Sequence, residues 1–228
     1  MHRFGSLRRR AAALALISCT AGMAGTRAFG TPPQVPAAST APAGAFTPLF
    51  DGTLRGWTIE NGNASSFTVT NGVLRVEGPA GWLRASGEYR NFVLRTEVRM
   101  LTADADSGIF VRAVGAGIFM RGWPGDSYQV QVRVPTAPGP LPPVGGLFRH
   151  GARIVIDAPD VDAVRKAFTG VGEWQRLEVE LSGAVLQTRL NGVNVLRAQG
   201  IADRAGFVGI QAETGTLEYR AIEIRQLP

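Results

Sequence analysis

The chain has 228 residues, 45% of them hydrophobic and 18% charged, which is enough for one domain with a buried core. The formal net charge is +6, but residues 1–18 hold four arginines and no acid, which leaves +2 for the rest. This balance favours a mixed solvated surface and argues against a nucleic-acid-binding face. The single cysteine, Cys19, excludes an internal disulfide.

The first residues have the pattern of an export signal. The basic stretch MHRFGSLRRR precedes the apolar run AAALALIS, which is far shorter than the about 20 residues that span a bilayer. The run ends in LISC, which resembles a bacterial lipobox with Cys19 as the lipidated residue. A plain signal peptide cut further along, with Cys19 discarded, is the alternative. Residues 1–18 are therefore predicted to be a signal peptide of an envelope lipoprotein or of a periplasmic or secreted protein.

A linker and then a series of short strands follow the signal. Residues 19–45 are rich in Pro and Ala without periodicity, which predicts a disordered linker before a folded domain at 46–228. The first strand-like runs are SFTVT, VLRVEG, GWLRAS, FVLRTEVRM, GIFVRA, SYQVQVRV and RIVID. Asn71-Gly72 predicts a hairpin between the first two of these runs.

The second half of the chain continues the pattern. Pro135–Gly146 carries too much proline for a central strand and predicts a surface loop that rims a binding site. Only Val161–Phe168 has helical character, and Asn191-Gly192 predicts a second hairpin. At least ten short strands with almost no helix predict an all-β fold, a two-sheet antiparallel β-sandwich or jelly roll.

Common catalytic motifs are missing from the sequence, which has no P-loop, no HExxH and no CxxC. His150 is the only histidine after the signal, so a three-histidine metal site is excluded. A surface histidine is the plain interpretation, and a catalytic role is the alternative. Glu178 and Glu180 share one strand face, as paired glycosidase carboxylates do, but the alternating leucines beside them favour a solvated outer face.

Large polar side chains mark one face of several predicted strands. Planar amide and guanidinium groups bind sugar hydroxyls in pairs, and aromatic rings stack on the apolar faces of sugars. The alternative is a sheet face that is simply solvated. The polar residues are Arg112, Gln129, Gln131, Gln187, Arg189, Gln211 and Glu213, and the aromatic candidates are Trp123 and Tyr128.

The order of motifs resembles the 3-keto-disaccharide hydrolase domain family from about Phe46 to Leu227. The segments that carry the resemblance include FTPLFDGTLRGWTIENG, SFTVTNGVLRVEG, DSGIFVRA, SYQVQV and GFVGIQAETGTLEYRAIEIRQL. The resemblance implies a concanavalin A-like jelly roll that cleaves 3-keto-glycosides. In that chemistry a base removes the acidic C2 proton beside the ketone, the anomeric substituent leaves, and water then adds.

The resemblance also implies a set of site residues. Glu213 is predicted to be the base and Arg112 the cation that stabilises the enolate, with a divalent metal open as an alternative. Three residues depart from the family motifs: Gln129 stands where the family has Glu, Glu213 where it has His, and Asp106 where it has Asn. The predicted substrate-binding residues are Gln129, Gln131, Gln211, Arg189, Trp123, Tyr128 and His150.

Two other classes of function stay open at this point. A non-catalytic carbohydrate-binding module would use the same polar face without chemistry. A laminin-G-like protein-interaction domain would need neither activity nor affinity for sugars. The expected partner under the first hypothesis is a small carbohydrate, with the membrane contacted only through a lipid anchor.

Overall fold

The computed structural model describes residues 44–115 and 122–228, which form two antiparallel sheets around a shared core. The predicted signal peptide, Cys19 and nearly all of the predicted linker lie outside the described residues. The eight-stranded sheet contains β1 (Thr47–Pro48), β3 (Phe67–Thr70), β4 (Val73–Glu77), β6 (Phe92–Met100), β11 (Gln175–Ser182), β12 (Val185–Leu190), β13 (Val193–Gln199) and β15 (Thr216–Gln226). The seven-stranded sheet contains β2 (Trp57–Asn61), β5 (Gly81–Tyr89), β7 (Asp106–Ala113), β8 (Ser127–Arg133), β9 (Leu147–His150), β10 (Val155–Asp157) and β14 (Gly206–Ala212).

Strands that are distant in sequence lie side by side in both sheets. The spatial order is β13-β12-β11-β6-β15-β4-β3 in the eight-stranded sheet, with β1 paired to β15, and β10-β9-β8-β7-β14-β5-β2 in the seven-stranded sheet. The pairings are antiparallel throughout the described ranges. This architecture is the predicted antiparallel β-sandwich of the jelly-roll type.

Buried and outward-facing residues alternate along the strands, and the buried ones form the core between the sheets. On β6, Phe92, Leu94 and Val98 are fully buried between the sheets. The intervening residues of β6 face outward, where Arg95 binds Glu223 and Arg99 binds Glu218. Apolar side chains therefore fill one face of each strand because the side-chain period of a strand is two.

The outer face of the eight-stranded sheet is a solvated surface of ion pairs. Glu178 and Glu180 both bind Arg189, at 2.6 and 3.1 Å. The plain interpretation of these two glutamates is therefore confirmed. Ion pairs at a solvated surface contribute little to stability, about 0 to 1 kcal/mol each.

Both predicted Asn-Gly hairpins are present. Asn71 and Gly72 have φ values of 51° and 75°, and Asn191 and Gly192 have 48° and 84°. Positive φ at both central residues is the signature of a type I′ turn, which matches the twist of the flanking strands.

The predicted helix and loop are also confirmed. The helix α1 (Val161–Ala167) begins after Asp160, whose carboxylate accepts hydrogen bonds from the backbone N–H groups of Asp162 and Ala163. Pro135–Gly146 contains no strand and connects β8 to β9. Within residues 44–115 and 122–228, no helix has the length and apolar character needed to cross a bilayer.

Candidate functional site on the seven-stranded sheet

A cleft lies on the outer face of the seven-stranded sheet, the face turned away from the core. Strand register brings its central residues together: Gln129 of β8 pairs with Phe110 of β7 and with Phe148 of β9. Gln131 pairs with Gly108 on the same face. The central strands are thus buried on both faces, one by the core and the other by the groups that surround the cleft.

Gly108 makes space for the side chain of Gln129. A Cβ atom at residue 108 would lie 2.5 Å from both the Cγ and the Nε2 of Gln129, which is closer than real contacts allow. A glycine at this point of β7 therefore lets the amide of the neighbouring strand lie flat on the sheet.

Three glutamines form the floor of the cleft, which we call the glutamine floor: Gln129, Gln131 and Gln211. Their side chains are only 3%, 1% and 0% exposed. The Nε2 of Gln129 donates to the Oε1 of Gln131 and to the Oε1 of Gln211, each at 2.9 Å. The three amides therefore hold one another in a fixed arrangement.

Two carboxylates fix the direction of the hydrogen bonds in the glutamine floor. Asp106 accepts from the Nε2 of Gln131 at 2.8 Å, and Glu213 accepts from the Nε2 of Gln211 at 3.1 Å. An ionised carboxylate only accepts hydrogen bonds. Gln131 and Gln211 must therefore turn their side-chain nitrogens toward the carboxylates and their oxygens toward Gln129. Gln129 must then offer its nitrogen to both of them.

The hydrogen bond to Gln129 determines which ring nitrogen of His150 carries the proton. The Oε1 of Gln129 lies 2.9 Å from the Nε2 of His150, and an amide oxygen only accepts, so this nitrogen carries a proton. In the neutral ring the Nδ1 then carries none. The two carboxylates thus select the tautomer of a histidine that they do not touch, through the glutamine floor.

His150 is neutral at physiological pH. The side chain is 8% exposed and lies between Phe148, which stacks on it at 6.2 Å between ring centres, and Phe110 at 6.0 Å. Burial lowers the pKa of His150 to about 4, because a low-dielectric environment disfavours the charged ring.

Arg133 connects the cleft to the proline-rich loop. Its Nε lies 3.3 Å from the Oδ2 of Asp106, and its Nη2 and Nη1 donate to the backbone carbonyls of Pro138 and Leu141. This arginine continues the alternation of Gln129 and Gln131 along β8. Alternation along β8 in the sequence therefore places Arg133 on the same face as the two glutamines.

Four apolar side chains line the cleft, and we call them the apolar wall: Trp123, Leu141, Phe148 and Ile154. The cleft has a volume of about 220 Å³, and the glutamine floor, His150 and Glu213 line the remainder. Leu141 belongs to the proline-rich loop, which was predicted to rim a binding site. Phe148 and Ile154 were not predicted, because nothing in their local sequence distinguishes them from ordinary strand residues.

Six of the predicted site residues meet in this cleft: Gln129, Gln131, Gln211, Glu213, Trp123 and His150. The roles assigned to them stay predictions. The glutamines bind one another and two carboxylates, so their polar atoms serve first to organise the floor.

Arg112 does not lie in the cleft, and its predicted placement is wrong. Alternation puts Arg112 on the face of Phe110, but β7 has a bulge in which Val111 and Arg112 lie opposite Val208 alone. Arg112 takes a φ of 46°, which turns its side chain away from the cleft face. Alternation along β7 therefore fails at this residue.

The guanidinium of Arg112 instead joins three turns at one end of the sandwich. It is 0% exposed and donates to the backbone carbonyls of Arg90, Gly183 and Ala202. Burial lowers the pKa of this group, and Asp203 at 3.7 Å opposes that shift. Arg112 therefore stabilises the fold at this end of the sandwich and does not contact a substrate in the cleft.

Arg189 and Tyr128 are also separate from the cleft. Arg189 lies on β12, in the other sheet, where it binds Glu178 and Glu180. Tyr128 points to the opposite side of β8 from Gln129, packs against the core and accepts a hydrogen bond from the backbone N–H of Ala202. The predicted substrate contacts of both residues are therefore not supported by their placement.

Among the residues that the structure describes, no group of three or more His, Cys, Asp or Glu side chains is arranged to bind a metal ion. Asp106 is engaged by Gln131 and Arg133. The carboxylate of Asp106 therefore serves to hold neighbouring side chains of the cleft.

Comparisons with solved structures show the fold. A proposed glycosyl hydrolase from Parabacteroides distasonis ATCC 8503 matches with a TM-score of 0.63 at 20% identity, over 80% of this chain and 100% of that chain. The carbohydrate-binding module CBM66 from Bacillus subtilis matches with a TM-score of 0.53 at 14% identity, over 75% and 96% of the two chains. A β-glucanase from Bacillus licheniformis matches with a TM-score of 0.53 at 12% identity, over 81% and 98%.

The sequence comparison identifies the family. No curated protein matches the chain. The family profile of the 3-keto-alpha-glucoside-1,2-lyase-like domain matches residues 45–225, which is most of the chain and all of the cleft. The resemblance inferred from the sequence motifs is thereby confirmed, and the chain belongs to the family of 3-keto-alpha-glucoside-1,2-lyase-like domains.

Proposed function

We propose that the domain acts on carbohydrates and cleaves 3-keto-glycosides in the cleft of the seven-stranded sheet. Family membership supports the substrate class. The observation that carries the proposal is the position of Glu213, a half-buried carboxylate that lines the cleft and is oriented by the Nε2 of Gln211. A base in a cleft of this kind is what the reaction needs.

The proposed reaction is an elimination followed by hydration. The carboxylate of Glu213 takes the proton from C2, which the neighbouring C3 ketone makes acidic. The electron pair forms the C1–C2 double bond as the C1–O bond breaks. The departing oxygen takes the proton held by Glu213, so that the aglycone leaves as an alcohol and the carboxylate is regenerated. Water then adds to the enone, which completes a net hydrolysis.

The residues beside Glu213 position the reactants. The Nε2 of His150 donates to Gln129, so this histidine helps to orient the glutamine floor. Because Arg112 lies outside the cleft, we assign the stabilisation of the enolate oxygen to the second Nε2 hydrogens of Gln131 and Gln211, whose first hydrogens bind Asp106 and Glu213.

The test is turnover of 3-keto-sucrose by the full chain and by two variants. Glu213→Gln removes the base and keeps the shape, so we expect a loss of about 100-fold or more in kcat. Glu180→Gln is the matched control, because Glu180 is a carboxylate paired with an arginine on the other sheet. Equal rates for the wild type and Glu213→Gln would contradict the proposal.

A second candidate, a carbohydrate-binding module without catalysis, is favoured by one observation. The floor of the cleft consists of amides, which do not ionise and cannot take a proton at neutral pH. Binding of sugars without turnover of any 3-keto-glycoside would support this candidate.

Export is a separate proposal that concerns residues outside the described part of the chain. We propose that the chain is carried across the inner membrane and anchored through Cys19. In cell fractionation, the wild type is expected with the membranes and Cys19→Ser in the soluble fraction. A cysteine variant that stays with the membranes would contradict the anchor.

A further inference from the structure

The lining of the cleft is of two chemical kinds, and this bears on the substrate. The apolar wall contributes one tryptophan, one phenylalanine and two aliphatic side chains. The polar part of the lining comes from the glutamine floor, His150 and Glu213, and His150 lies beside Phe148 on β9. A ligand that fits this lining must itself have an apolar part and a polar part.

The glutamine floor has few polar atoms left for sugar hydroxyls. Both hydrogens of the Gln129 amide nitrogen bind neighbouring glutamines, and its oxygen accepts from His150. Gln131 and Gln211 each receive one of these bonds and give one to a carboxylate. A second sugar ring can stack its apolar face on an aromatic ring of the wall, but the hydroxyls at its edge would find few partners there, whereas an aryl group has no hydroxyls to satisfy.

The apolar wall is held in place before any ligand arrives. Leu141 is 39% exposed on the proline-rich loop, and Arg133 binds the backbone carbonyls of Leu141 and Pro138. Asp106 in turn pairs with Arg133. Proline and these bonds limit the freedom of the loop, so little ordering entropy is lost when the wall receives a ligand.

The size of the cleft limits the ligand further. Its volume of about 220 Å³ lies below the about 300 to 1,000 Å³ of pockets that enclose drug-sized molecules. The cleft thus encloses about one ring, and a flat apolar group against the apolar wall stays partly exposed. Burial of such a group is favourable, and aromatic groups stack on Phe148 and Trp123 with little loss of freedom.

We infer that the apolar wall is an aglycone site, and that the preferred substrates are aryl glycosides rather than disaccharides. The inference rests on the proposed function insofar as the sugar ring lies next to Glu213. The apolar wall then holds the aromatic alcohol that leaves from C1. A phenol is also a better leaving group than a sugar hydroxyl, because its oxyanion is more stable.

The test separates binding from turnover. Binding of p-nitrophenyl glucoside, methyl glucoside and sucrose to the full chain is measured by calorimetry, with both anomers of the two glucosides. We expect the p-nitrophenyl glucoside of the accepted anomer to bind at least tenfold more tightly than the other two ligands. Equal affinities for the aryl and methyl glucosides would overturn the inference.

Two variants locate the preference. Leu141→Ser removes an exposed apolar side chain from the wall and should abolish most of the aryl preference. Val193→Ser is the matched control, because Val193 is 41% exposed on the other sheet and should change nothing. An aryl preference that survives in Leu141→Ser, and also in Phe148→Ser, would place the aglycone elsewhere and overturn the inference.

Turnover distinguishes failure of this inference from failure of the proposed function. If no 3-keto-glycoside is cleaved but the aryl preference is present and depends on Leu141, the aglycone site stands and the enzyme activity fails. If 3-keto-sucrose is cleaved at least as well as the 3-keto form of p-nitrophenyl glucoside and no aryl preference exists, the activity stands and the aglycone site fails.

Discussion

Acidification should destabilise the fold through His150. The unfolded chain binds a proton at this ring with a pKa of about 6.5, whereas burial lowers the pKa of His150 to about 4 in the folded protein. Between these two values the unfolded state binds more protons than the folded state. Stability from this group is therefore complete above pH 6.5 and is lost as the pH falls toward 4.

The size of the effect follows from the difference between the two pKa values. At 1.36 kcal/mol per pH unit, the loss of unfolding free energy reaches about 3 kcal/mol by pH 4. A typical domain is stable by only about 5 to 15 kcal/mol, so this one ring has a measurable influence. The side chain is 8% exposed, which leaves little solvent to reduce the effect.

The assay compares urea unfolding of the wild type and His150→Gln at pH 7 and pH 4. Glutamine does not titrate and keeps an N–H donor for the Oε1 of Gln129, so it isolates the protonation of the ring. Carboxylates titrate in both proteins and cancel in the difference. We expect the wild type to lose about 3 kcal/mol more than the variant between the two pH values.

Nuclear magnetic resonance of the labelled imidazole gives an independent measurement. The signals that disappear in His150→Gln belong to this ring, and they should report a neutral ring with its proton on Nε2 at pH 7. A ring that titrates near pH 6.5, or equal acid sensitivity of the two proteins, would refute the burial argument. A proton on Nδ1 instead would refute the direction assigned to the glutamine floor.

Three further substitutions have defined outcomes. Gln129→Glu puts a carboxylate next to the Nε2 of His150. At an effective dielectric constant of 20, the attraction between the two charges is about 4 kcal/mol. This attraction should raise the pKa of His150 by about 3, to about 7, in the same titration by nuclear magnetic resonance. Arg112→Lys removes the planar guanidinium group that binds three backbone carbonyls, and it should lower the free energy of unfolding in urea by about 2 to 4 kcal/mol. Arg189→Lys, the control on the solvated face of the other sheet, should lower it by less than about 1 kcal/mol. Gly108→Ala should displace the Gln129 amide, lower the stability by about 1 to 3 kcal/mol and shift the imidazole signals of His150; unchanged signals would contradict the close packing.

Much of the fold could be predicted because the relevant signals are local. Period-two alternation identifies strands, and Asn-Gly pairs adopt type I′ turns through the backbone preferences of those two residues. The polar face with Gln129, Gln131 and Gln211 was predicted in the same way, because every second residue of a regular strand shares a face.

The errors arose where a side chain depends on distant parts of the chain. The face of Arg112 is reversed by a bulge against Val208, almost a hundred residues further along. The separation of Arg189 from the cleft depends on which sheet receives β12. Register and sheet membership are long-range properties, and alternation within one strand contains no information about them.

Residues 129 and 213, which both differ from the residues that the resemblance implies, are connected in this structure. A carboxylate at residue 129 would face the oxygens of both Gln131 and Gln211, because Asp106 and Glu213 hold those two amides with their nitrogens outward. An acid at residue 213 therefore disfavours an acid at residue 129.

An amide at residue 129 satisfies all three of its neighbours. Compared with the residues that the resemblance implies, the negative charge thus lies at the half-buried position of Glu213 and not on the buried floor. Under the proposed function, this position favours Glu213 over any group of the floor as the base. Reversal of both residues together, Gln129→Glu with Glu213→His, should be tolerated better than Gln129→Glu alone, because it removes the carboxylate that fixes Gln211.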